Sequence, residues 1–65
     1  MKNRRMSERR FETKLATLLE RRLEQSGGSV STFRDAGVLT MNRGLVVSLP
    51  NGQEFQLTIV ESSHR

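Results

Sequence analysis

The chain contains no cysteine, tryptophan or tyrosine and has a single histidine and a single proline. Without cysteine it has neither disulfide staples nor the thiolate ligands of a structural zinc site, and the lack fits a reducing compartment. The lone histidine, His64, lies next to the final residue, where nothing can orient it, so acid–base or nucleophilic catalysis has no centre to build on. Without tryptophan or tyrosine, stacking on nucleic-acid bases would fall to phenylalanine, and Phe11, Phe33 and Phe55 all sit at expected core positions. No apolar run approaches the roughly 20 residues of a membrane span, and the first ten residues lack the apolar stretch of a secretory signal. The expected setting is the cytoplasm, with no membrane partner and no small-molecule substrate. No catalytic, cofactor-binding or metal-binding residues are expected.

Charge divides the chain. Residues 1–26 hold eight Lys or Arg against four Glu, which accounts for the whole net charge of +4, while residues 27–65 balance three Arg against three acids. Within the first segment, Phe11, Leu15, Leu18, Leu19 and Leu23 recur at helical spacing and predict one helix over residues 7–26. Ser7 suits its N-cap, and Gly27-Gly28 its C-terminal stop.

The second half reads as strands. Leu49-Pro50-Asn51-Gly52-Gln53 joins two alternating runs, with Pro50 and Asn51 suited to the corners of a type I turn and Gly52 to a left-handed bulge position. That three-residue loop pairs Leu49 with Gln53, Val47 with Phe55 and Leu45 with Leu57, which gathers the apolar residues on one face. Val38 to Met41, followed by Asn42-Arg43-Gly44, repeats the pattern. Together these signals predict a single α+β domain over residues 1–65, with one N-terminal helix packed on a three-stranded antiparallel β-meander (α-β-β-β). The expected strands are 38–41, 45–49 and 53–60 within a meander region of 29–61, with an additional short strand possible near Val30. Residues 1–6 are expected to form a flexible basic arm and residues 62–65 a tail.

Two surfaces stand out as candidate contact sites. Lys2, Arg4, Arg5, Arg9, Arg10 and Lys14 crowd the helix N-terminus, where cations oppose the macrodipole, so helix stability alone would not place them there. They suit the phosphates of nucleic acid or an acidic protein surface, and equally a solvated tail. Val46, Ser48, Gln56, Thr58 and Val60 fall on the sheet face turned away from the predicted core and form a candidate protein interface. At 65 residues the core is small, and without disulfides or metal the remaining device is association, so a homodimer is expected.

The stretch Thr32 to Thr40, with Gly44-Leu45-Val46-Val47 and Gly52 to Val60, resembles short uncharacterised proteins of bacteria and their phages, actinophages especially. The resemblance covers residues 30–61 and brings no activity or site residues with it. It implies an accessory product that acts by binding. The expected function is therefore a small non-enzymatic interaction module that binds and modulates a host protein, with a nucleic-acid-binding accessory protein as the alternative.

Overall fold

The computed structural model describes residues 5–62, so Lys2, Arg4, His64 and the expected flexibility of the first residues lie outside the described span. Helix α1 runs from Glu8 to Leu23. Its cap is the expected one, since the Ser7 hydroxyl accepts the Arg10 amide at 3.1 Å, and Glu8 places negative charge in the first turn. A turn of 3₁₀ helix, Glu24–Ser26, follows, and Gly27 closes it at φ 83°. Strand β1 (Ser29–Thr32) then leads directly into the single-turn helix α2 (Phe33–Ala36), which Thr32 caps by accepting the Asp35 amide at 3.0 Å. Strands β2 (Arg43–Ser48) and β3 (Glu54–Ile59) complete an antiparallel sheet in the order β1-β2-β3.

The second hairpin forms in the register its turn demands. Leu45 lies opposite Leu57 and Val47 opposite Phe55, while the Leu49 amide donates to the Gln53 carbonyl at 2.8 Å and the Gly52 amide to the Leu49 carbonyl at 3.0 Å. Gly52 adopts φ 95°, and a Cβ built there would meet nothing within 4 Å. Steric room is therefore not the issue at this position; backbone conformation is. Gly52→Ala should cost about 1 kcal/mol through the left-handed backbone alone, measured by chemical denaturation. An unchanged midpoint would show that the loop does not need this geometry.

The first strand is not where the sequence pattern puts it. Ser29–Thr32 pairs with β2, with Val30 opposite Val47 and Thr32 opposite Leu45, whereas Val38 to Met41 forms no strand and leaves Leu39 and Met41 fully exposed. The cause is Gly44. It does not turn the chain but lies inside β2 without a positive φ, buried beneath the Phe33 ring, so residues 38–41 have no tight turn with which to fold back on β2. Phe33 docks there instead, and Thr32 caps the short helix that brings it in.

Val46 is a second correction, because it was expected on the open outer face and is only 7% exposed. Phe33 rests on Gly44, two residues along the same side of β2, and α2 packs on β1 and β2, so that side of the central strand is covered. The buried apolar core is consequently small: Phe33, Leu45, Val46 and Val47. Helix α1 packs on β1 and β2. It leaves β3 largely uncovered, and Phe55 and Leu57, expected in the core, are 50% and 36% exposed.

Candidate functional site

The loop from Gly37 to Asn42 connects α2 to β2. The Gly37 amide donates to the Arg34 carbonyl at 3.2 Å and the Val38 amide to the Phe33 carbonyl at 2.9 Å, which ties its start to α2, and within the loop the Asn42 amide donates to the Thr40 hydroxyl at 3.1 Å. Leu39 and Met41 project into solvent at essentially full exposure, 99% and 101%. They border a shallow groove of about 570 Å³ whose charged lining comprises Arg9, Arg34 and Arg43 against Glu12 and Asp35. Glu12 is buried and paired with Arg43, so the open charges of the rim are Arg9, Arg34 and Asp35.

Glu12 is a buried structural residue that the sequence pattern does not single out. By sequence it is simply one of the four Glu of residues 1–26, yet it is 6% exposed, accepts the Gly44 amide at 3.1 Å and lies 3.5 Å from the Arg43 guanidinium. β1 ends at Thr32, opposite Leu45, so the Gly44 amide lies one residue past the last strand partner on that side. The carboxylate takes the place of a backbone carbonyl. Its signal was its position: Glu8, Glu12, Leu15, Leu19 and Leu23 share the sheet-facing stripe of α1, and a carboxylate within such a stripe needs a buried partner.

The described basic residues of the expected cluster take different surroundings. Arg5 pairs with Glu61, whose amide is also held by the Glu8 carboxylate at 2.8 Å, so that arginine ties the chain after β3 to the start of α1. Arg9 joins the rim of the Leu39–Met41 groove. Arg10 and Lys14, with Arg21, share the helical ridge turned away from the sheet. Among the described residues the ion pairs are Arg5–Glu61 and Arg43–Glu12, so this ridge has no carboxylate partner.

The expected sheet-face interface is not assembled either. Val46 is covered and Ser48 half-buried, and only Gln56, Thr58 and Val60 are open. Among the described residues no group of three or more His, Cys, Asp or Glu could hold a metal ion, and no helix is long and apolar enough to cross a membrane. No protein family, curated protein or solved structure matches the chain.

Proposed function

We propose that this chain is a non-enzymatic interaction module acting in the cytoplasm, and that it binds a host protein through Leu39 and Met41. The observation that carries the reading is the full exposure of two large apolar side chains on a loop that is hydrogen-bonded to α2 at its start and turned by an internal bond between Thr40 and Asn42. Burying each in a partner is worth roughly 1.5–3 kcal/mol, and hydrogen bonds at the loop's start and within its turn lower the entropy lost on docking. The rim cations Arg9 and Arg34, which have no ion-pair partner among the described residues, favour a partner whose apolar pocket is edged with carboxylates.

A second reading rests on a different observation, the outward ridge of Arg10, Lys14 and Arg21, whose charges are unpaired among the described residues and whose spacing suits nucleic-acid phosphates.

The test uses Leu39→Ser/Met41→Ser, which removes only exposed side chains and should leave stability within about 0.5 kcal/mol of wild type. A partner retained from host lysate by the wild-type chain is purified and its affinity measured by calorimetry against both forms. The expected result is a loss of about 100-fold or more in the double variant. Equal affinity for both forms overturns the reading. Binding to a DNA duplex or RNA hairpin that persists at physiological salt and is abolished by Arg10→Ala/Lys14→Ala/Arg21→Ala transfers the function to the second reading.

A further inference from the structure

β3 is an open edge with an apolar face. Because the Leu49 amide points to Gln53, alternation turns the backbone groups of Phe55 and Leu57 toward β2 and those of Gln56 and Thr58 outward, where no strand receives them. Proteins usually blunt such edges with lysine, proline, a bulge or short length. β3 has none of these: it pairs without interruption along Glu54–Ile59 and carries only Glu54 as a charge. The opposite edge, β1, is four residues long, exposes Ser29 and Ser31, and stops at α2.

Beside the β3 edge lies the one part of the sheet that α1 does not cover. Phe55 (50% exposed) and Leu57 (36%) face the helix layer, and Phe11 (48%) and Leu18 (59%) lie at helical spacing along one flank of α1. Phe11 lines a cavity with Ile59 and Val60, which places that flank on the β3 side. Together these four side chains expose on the order of 400 Å² of apolar surface. That approximates the apolar share of the ~800 Å² each partner buries in a stable interface.

We propose that the occupant of this surface is a second copy of the chain, paired antiparallel through β3 about a two-fold axis at Leu57 to give a continuous six-stranded sheet. In that register Leu57 lies beside its own copy, Phe55 beside the copy's Ile59, and Gln56 exchanges backbone hydrogen bonds with the copy's Thr58. Glu54 falls opposite Val60 and so meets no like charge. Both α1 helices occupy one layer, with Phe11 and Leu18 at the margins of a shared apolar strip, and the Arg10–Lys14–Arg21 ridge stays in solvent. A strand of identical sequence matches this edge in polarity and alternation without further fitting.

Light scattering across a dilution series should give twice the 7.4 kDa chain mass. Gln56→Pro removes an amide the single chain leaves unpaired, and proline is tolerated on edge strands, so this variant should keep its circular dichroism and run at the single-chain mass. The chain has no cysteine of its own, so Leu57→Cys should oxidise to a covalent dimer, because directly opposed residues at a non-hydrogen-bonded pair sit about 4.5 Å apart, within disulfide reach. Ser31→Cys, on the β1 edge, should not cross-link. If Gln56→Pro does not fold, the Leu57→Cys result decides. A single-chain mass throughout the series overturns the proposal, as does a dimer that survives Gln56→Pro without Leu57→Cys cross-linking. Leu39→Ser/Met41→Ser should remain dimeric, so host-protein binding and self-association fail or succeed separately.

Discussion

Gly44→Ala should unfold this domain or lower its melting temperature by roughly 15 °C or more. A methyl group at this position would fall far inside van der Waals contact with the Leu57 carbonyl oxygen and with Cε2 and Cζ of Phe33. Neither neighbour can yield cheaply. The carbonyl belongs to the backbone of β3, and the ring is 4% exposed in a core with few members. Overpacking a filled site typically costs about 1–3 kcal/mol and more where backbone must move, so about 3 kcal/mol is expected. In a domain of this size each kcal/mol is worth roughly 4–8 °C. Phe33→Leu/Gly44→Ala should recover part of the loss, because trimming the ring relieves one of the two overlaps. Thermal unfolding followed by circular dichroism measures both. A Gly44→Ala melting temperature near wild type would mean that the ring does not lie on Gly44, and with it would go the explanation for the burial of Val46.

That packing also marks where the sequence stops being legible. The Pro50-Asn51-Gly52 hairpin could be read outright, because turn chemistry and the two-residue period independently require the same register, and Leu45–Leu57 and Val47–Phe55 pair accordingly. The helix was legible for a similar reason, with Ser7 and the apolar stripe agreeing on its start and direction. Val38 to Met41 misled because its strand reading rested on local alternation plus the assumption that Gly44 turns. What decides the matter is a contact between Phe33 and Gly44, eleven positions apart, which no periodicity records. Once Phe33 occupies that site, the Val30 segment becomes the partner of β2, and Leu39 and Met41 are left outside. The exposure of Leu39 and Met41 is thus a by-product of tertiary competition, which neither charge nor alternation along the chain records. Phe55 and Leu57 were placed on the correct face. Their exposure follows from the path of α1 across β1 and β2, a feature set by the packing of the whole chain.

Glu12 provides the other large effect. Removing the carboxylate leaves the Gly44 amide in a buried position with no acceptor, a loss of about 1–3 kcal/mol, while the half-exposed Arg43 returns to water at little cost. Glu12→Ala should therefore destabilise by about 2 kcal/mol and raise the exchange rate of the Gly44 amide selectively. Two further substitutions separate hydrogen bonding from charge and volume. Glu12→Gln keeps an acceptor at the same reach and should stay within about 1 kcal/mol of wild type, whereas Glu12→Leu restores apolar volume without an acceptor and should resemble Glu12→Ala. The order matters because buried ion pairs elsewhere are often replaced by hydrophobic residues without loss or with a gain. If Glu12→Leu proved more stable than wild type, the carboxylate would be a burden on this core and not the surrogate for a missing strand. If Glu12→Gln fell as far as Glu12→Ala, the Arg43 ion pair would be the dominant interaction. The expected ranking, Gln well above Ala and Leu, follows from one geometric fact: β1 ends a residue too early to satisfy Gly44, and the helix supplies the acceptor that the strand does not.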